Sequence, residues 1–307
     1  MSLDAYLLFT MAIAFDLILG EPPSGVHPVV WIGRLISALR SRMRPTRAHG
    51  FILATIVIAA TVLAGHTLVW IVGRIPFLGA PLSLLTAAYL LKSTFAIRCL
   101  LQTSLDIGKT IDRDISEAKS MLPALVGRET KDLSASQAAS AVIESISENY
   151  VDAILSPIFY FLLLSPFGLG LEAALAFKAV STMDSMLGYK KEGLREMGYA
   201  PAKMDDLANY VPARLSILFI SLSMPSRARQ TVASALRYHS ATPSPNSGWP
   251  MSAAAGAIGV RLEKPGFYVL FENGKDAETS DIPKAVRLIG WAFILTAAAS
   301  MLLLLSA

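Results

Sequence analysis

Phe51-Ile-Leu-Ala-Thr-Ile-Val-Ile-Ala-Ala-Thr-Val-Leu-Ala-Gly-His-Thr-Leu-Val-Trp-Ile-Val72 contains no charged residue and one ionisable one, His66. About 20 predominantly apolar residues in a helix cross the hydrocarbon core of a bilayer. This stretch is long enough, and its neighbours repeat the pattern. Leu288–Ser306 is equally apolar, and Leu3–Leu19 is a span in spite of Asp16. Residues 82–105 carry Lys92 and Arg98, which fits either a span packed against other helices or an amphipathic interfacial helix. Residues 154–177 are long enough to cross, but Pro157, Pro166, Gly168 and Gly170 predict a broken or re-entrant segment. Residues 207–224 are the weakest candidate, with Pro212 and Arg214 inside. The expected fold is all-α: a polytopic helical membrane protein, one domain over residues 1–307, whose cytoplasmic helical loops form the active site.

Composition agrees. Hydrophobic residues make up 53% of the 307 and charged residues 16%, against about 25% charged in an average soluble domain. The net charge of +4 and pI near 9.1 come from basic residues beside the apolar blocks, without a basic stripe of interleaved aromatics, which argues against nucleic acid. Arg34, Arg40, Arg42, Arg44 and Arg47 place the first link in the cytoplasm, together with residues 106–150 and 178–203. Ser134 is the expected N-cap of a helix in the second of these stretches. The first segment lacks a basic start and a small-residue cleavage site, so it reads as retained. The lone Cys99 reads as a buried thiol.

Five polar constellations could carry chemistry. The first is Asp16-Leu-Ile-Leu-Gly20-Glu21-Pro22-Pro23 with His27-Pro28 and Trp31-Ile-Gly33-Arg34. An acid ending an apolar helix is costly unless protein, water or ligand faces it; His27 alone means little. The second is Glu144-Ser-Ile-Ser-Glu148-Asn149-Tyr-Val-Asp152, whose acids recur every fourth residue and stack on one helix face without a basic partner at helical spacing. A divalent cation with phosphate oxygens would compensate them; a solvated acidic face is the plainer reading, weakened by the membrane border. The third is Thr182-Met-Asp184-Ser-Met-Leu-Gly188-Tyr189-Lys190. In the fourth, Lys203-Met-Asp205-Asp206-Leu-Ala-Asn209-Tyr-Val-Pro212-Ala-Arg214, two acids and an amide one turn later suit a metal and phosphate, with Lys190 and Arg214 as donors. The fifth is Ser244-Pro245-Asn246-Ser-Gly248-Trp249-Pro250, a rigid turn with backbone N–H groups for an anion, or simply a turn into a small-residue helix. Gly108-Lys109-Thr110 fails as a phosphate loop because Thr103 stands where the first glycine is needed. No zinc cluster and no Gly-x-Ser-x-Gly elbow is present.

In this order, with Val126-Gly-Arg128-Glu-Thr130 and Ser156-Pro157-Ile-Phe-Tyr160 between them, these motifs resemble the adenosylcobinamide-phosphate synthase family, the CobD or CbiB membrane proteins of cobalamin biosynthesis. The resemblance covers nearly the whole chain. Glu21 stands where the family pattern has Asp, and the segment after Gly266-Phe-Tyr268 lacks a glycine-rich continuation. The resemblance implies a multi-pass cell-membrane ligase with its active site on the cytoplasmic side. It would use ATP and Mg²⁺ to join adenosylcobyric acid to aminopropanol phosphate or a related amino alcohol. A homo-oligomer and a complex with other cobalamin-pathway enzymes both stay open. Glu144, Glu148, Asp184 and Asp205 take catalytic roles, and Glu148, Asp152, Asp205 and Asp206 the metal. Asp16, His27, Arg128, Asn149, Tyr189, Lys190, Asn209, Arg214, Asn246 and Trp249 take substrate and phosphate groups. The rival reading is a transporter for a corrinoid or another small anion, suggested by Asp16, Lys92 and Arg214 within apolar segments and by the broken 154–177 stretch.

Overall fold

The computed structural model describes residues 2–127, 129–188 and 195–306. Among these, fourteen α-helices follow one another: α1 (Ser2–Leu19), α2 (Pro28–Arg40), α3 (Arg47–Gly73), α4 (Gly79–Lys92), α5 (Ile97–Arg113), α6 (Ile115–Met121), α7 (Ala135–Tyr150), α8 (Ser156–Leu164), α9 (Gly170–Leu187), α10 (Tyr199–Ala208), α11 (Tyr210–Ser223), α12 (Ala228–Tyr238), α13 (Gly248–Ile258) and α14 (Ile282–Ser306). Four helical stretches are long and apolar enough to cross a membrane: Arg47–Gly73, Gly79–Arg113, Ala135–Phe167 and Thr279–Ser306. The protein is an all-α polytopic membrane protein, as its sequence predicts.

The expected 154–177 segment is divided differently. Pro157 sits at the second position of α8 and has no N–H to give the carbonyl one turn earlier. The helix absorbs this by widening to π geometry over Val151–Leu155, so α7 continues into α8. Chain reversal comes later, in the 3₁₀ turn Ser165–Phe167 ended by left-handed Gly168, before α9 begins. The 207–224 candidate becomes the 14-residue α11. At 1.5 Å per residue it rises about 21 Å, short of a full crossing.

The chain forms two compact units. The first comprises Met1–Ile97, Ser156–Ala208 and Ala299–Ala307. Its core joins Ile32 and Ile36 of α2, Leu53, Ala54 and Val57 of α3, and Ala179, Val180, Met183 and Leu187 of α9. Thr46 begins α3, its hydroxyl accepting the His49 N–H.

The second unit comprises Arg98–Leu155 and Asn209–Ala298. Ser134 caps α7 through a capping box with Gln137, as expected. α7 is buried along most of its length. α13 is built of small residues, which lets it lie close against α12, and the Ser234 hydroxyl donates to the Ser252 carbonyl at 2.6 Å. A small sheet, absent from the sequence reading, pairs β1 (Val260–Lys264) antiparallel with β2 (Tyr268–Leu270) and parallel with β3 (Lys275–Asp276). Cys99 is exposed rather than buried. α5 is amphipathic, and its buried positions Leu100, Ile107 and Ile111 put Cys99 on the outer face.

Candidate functional site

The residues singled out in the sequence lie partly in each unit. In the first, α1 ends at Gly20, whose positive φ of 70° lets its N–H bond the Asp16 carbonyl at 3.0 Å. Asp16 is fully buried. Its carboxylate lies 3.3 Å from Lys92 Nζ and accepts the Ile97 N–H at 3.1 Å. Lys92, only 2% exposed, also donates to Glu21 Oε1 at 2.6 Å. The other Glu21 oxygen is 2.7 Å from His27 Nε2. His27 Nδ1 accepts the Val29 N–H and caps α2, so the neutral ring carries its proton on Nε2 and donates it to Glu21. Burial opposes the charge on Glu21, but the hydrogen bonds from His27 and Lys92 and the charge of Lys92 outweigh it and hold the carboxyl below its usual range. Asp16 and His27, both expected to touch substrate, thus have protein partners. Glu21 and Lys92 complete the set, although neither was among the expected substrate, catalytic or metal residues.

The same unit brings Asp184 of α9 towards Asp206 of α10, with Asp205 beside it in the chain. All three are half-buried. Burial, and then the negative charge of Asp206, push the Asp184 carboxyl up to about 6. Lys203 donates to Asp206 Oδ2 at 3.2 Å, while the Tyr160 hydroxyl donates to the Ala208 carbonyl at 2.9 Å and ties α8 to the end of α10. Tyr189 and Lys190 lie outside the described residues, as does Arg128.

In the second unit, α7 carries Glu144, Glu148 and Asn149, with Asp152 in the π segment that follows. Glu144 is 1% exposed, and its two oxygens accept hydrogen bonds from the Ser140 hydroxyl at 2.8 Å and the Tyr268 hydroxyl at 2.7 Å. The Ser140 oxygen also accepts the Glu263 N–H, so Glu144 anchors the sheet to α7. Glu148 and Asp152 are half-buried. The π widening changes the helical phase at Asp152, so the simple four-residue stack ends at Glu148. Asn149 donates its amide to the Ser145 carbonyl and hydroxyl.

The fourth and fifth motifs meet in this unit. The Arg214 guanidinium lies 3.5 Å from the Tyr210 ring centroid and 5.0 Å from that of Trp249, and it donates to Asn246 Oδ1 at 2.9 Å. On Trp249 stacks His239, with ring centroids 3.8 Å apart. The turn is held from within, since the Ser244 hydroxyl accepts the N–H groups of Asn246 and Ser247. Gly248 is required here, because a Cβ would strike the His239 carbonyl. The result is a planar cation between two aromatic rings, preorganised beside buried Asn246.

Among the described residues no three His, Cys, Asp or Glu side chains gather into a metal-holding group. Mg²⁺ needs fewer, since it takes one or two carboxylates together with phosphate and water. Asp205 and Asp206, adjacent in the chain and half-buried, offer that number.

Comparison with known proteins gives the chain a place. A family model described as "CobD/Cbib protein" matches residues 9–289. "Probable cobalamin biosynthesis protein CobD" of Methanothrix thermoacetophila is 51% identical, covering 98% of this chain and 97% of that protein. "Cobalamin biosynthesis protein CobD" of Pelobacter propionicus is 41% identical over 85% and 81%, and that of Klebsiella pneumoniae 36% identical over 92% of each. No solved structure matches significantly. With a family match running through every polar motif described above and relatives aligned over most of their length, the chain belongs to the CobD/Cbib family.

Proposed function

We propose that the chain acts in cobalamin biosynthesis as an ATP-dependent ligase of the cell membrane. It joins a carboxylate of adenosylcobyric acid to the amine of aminopropanol phosphate, or of a related amino alcohol, to give adenosylcobinamide phosphate. The observation that carries this reading is the family match over residues 9–289, which spans motifs from both units.

A carboxylate does not accept an amine until one of its oxygens becomes a good leaving group, so phosphoryl or nucleotidyl transfer from ATP must come first. Bound Mg²⁺ would neutralise the phosphate charge during that transfer. Asp205 and Asp206 are the acids offered in the first unit, and Glu148 and Asp152 in the second. With its carboxyl near 6, Asp184 is poised to accept the proton that the attacking amine must lose. The Arg214 guanidinium, held flat by Tyr210 and Trp249, presents its remaining N–H groups to phosphate or carboxylate oxygens. Asn246 and Asn209 suit the amide groups of a corrinoid, and Arg128 and Lys190 are assigned to phosphate on the resemblance alone. Glu144, with both oxygens engaged, serves this reading by fixing α7. The catalytic face is assigned to the cytoplasm.

The test is purified protein in detergent with adenosylcobyric acid, aminopropanol phosphate, ATP and Mg²⁺, followed by mass analysis of the corrinoid. The expected result is an ATP-dependent gain equal to the amino alcohol phosphate minus one water. Corrinoid uptake into proteoliposomes without that gain would overturn the ligase in favour of a transporter.

A further inference from the structure

The first unit holds a cavity of about 240 Å³ that the proposed chemistry does not use. Pro28, Trp31 and Leu35 of α2 and Ala60, Ala64 and Leu68 of α3 form much of its wall, and α4 and α9 close it. It is too small for a corrin macrocycle, since pockets for drug-sized ligands start at roughly 300 Å³. Its depth is informative. Ala60 and Thr61 stand at the centre of the uncharged Phe51–Val72 stretch, about 16 Å of helix from either end, so the cavity lies at hydrocarbon level. Its rim is open: Ala64 is exposed, Leu68 is 42% exposed and Trp31 is 47% exposed. On a helix that crosses the bilayer, an opening at this level faces lipid tails.

α2 supplies the second element. Its N-terminal residues line the cavity, whereas Ile36 and Leu39, with Met43 just beyond the helix, pack with Leu53, Ala54 and Val57 near the start of α3. α2 therefore leads from the cavity towards the Arg47 end of α3, where headgroups lie. Arg34, one helical turn beyond Trp31, and Arg40 are exposed along that path. The Trp31 indole N–H is already satisfied by the Gly25 carbonyl at 3.0 Å, which leaves an apolar ring at the rim. We propose that the cavity is a binding site for one hydrocarbon chain of an anionic phospholipid, whose phosphate is held by Arg34 with Arg40 beyond it. Thr61 Oγ1, buried and without a partner among the described residues, is the hydroxyl at the wall. A threonine on a helix can turn its hydroxyl to the carbonyl four residues earlier, so it does not call for a polar ligand.

The experiment is native mass spectrometry of the full chain released from nanodiscs of mixed anionic and zwitterionic phospholipid. The wild type should keep one lipid per chain, with at least a threefold preference for the anionic headgroup. Arg34→Ala should erase the preference, and Ala60→Phe/Ala64→Phe should lower retention at least tenfold. Equal retention by the filled variant would overturn the proposal. So would loss of retention in Thr61→Val, because a hydrocarbon chain gains nothing from that hydroxyl. Should the filled variant fail to fold, Trp70→Phe/Trp249→Phe/Trp291→Phe protein, whose remaining tryptophan is Trp31, with mid-chain brominated lipid gives a second reading. Trp31 quenching that persists after transfer to detergent supports the site, and quenching lost at once on transfer overturns it.

Discussion

Lys92→Met removes the cation between two acids and leaves a side chain of similar length. Lys92 Nζ lies 3.3 Å from Asp16 and 2.6 Å from Glu21, at 2% and 0% exposure for the first pair and 28% for Glu21. At an effective dielectric constant of about 20 the Lys92–Asp16 attraction alone is about 5 kcal/mol. Desolvation takes back much of that in the intact protein, but the variant still bears the cost of a buried carboxylate stripped of its cation, about 3–5 kcal/mol. That corresponds to a fall in thermal midpoint on the order of 10 °C. The assay is thermal unfolding in detergent for a double-mutant cycle of Lys92→Met, Asp16→Asn and the pair. Asp16→Asn/Lys92→Met should lie closer to wild type than Lys92→Met alone, with a coupling energy of about 2 kcal/mol or more. A Lys92→Met midpoint equal to that of wild type refutes the reasoning, as does a double variant no better than the single one. In that case Asp16 would be held for its substrate, and Asp16→Asn would raise KM without moving the midpoint.

Asp184 gives two pH effects of opposite sign. With its carboxyl near 6, activity that needs the carboxylate should fall about tenfold per pH unit below that value, and Asp184→Asn should remove this limb from the pH–rate profile. Its folded-state value lies above the unfolded one, so its contribution to stability is fully present below about 4 and is lost as pH rises through 6; thermal midpoints of wild type and Asp184→Asn at pH 5 and 7 check the sign. Glu148→Ala and Asp205→Ala should leave the protein inserted and folded while turnover falls by two to three orders of magnitude, matching the loss of a charge stabiliser worth roughly 3–4 kcal/mol; near-normal rates at limiting Mg²⁺ would return both to a solvated acidic face. Cysteines at exposed Ser41 and Ser116, introduced after exposed Cys99 is replaced, should resist an impermeant thiol reagent in intact cells, and labelling of either from outside would reverse the assigned topology.

What the sequence made legible is what depends on neighbours in the chain. An uncharged run long enough to cross a bilayer must be a helix, because lipid offers the backbone no hydrogen bonds. Phe51–Val72 and Leu288–Ser306 are accordingly found within α3 and α14. The Ser134 cap needs only Gln137, three residues on. The 154–177 segment is broken, as expected, at the Ser165–Phe167 turn that holds Pro166; only Pro157 does not interrupt the helix. A proline near the start of a helix costs little when a π segment takes up the lost bond, whereas Gly168, with its left-handed backbone, is what ends the run. The site was legible only as separate motifs. Lys92 meets Glu21 across 71 residues and Arg214 meets Asn246 across 32, and no local pattern encodes either pair. Glu144 looked like its neighbour Glu148 because spacing alone cannot reveal that Ser140 and Tyr268 claim one acid and not the other's position on the helix. That difference has a functional consequence. An acid whose two oxygens are already bound can take a metal only by giving up those bonds, so Glu144 serves the second unit by holding the sheet on α7.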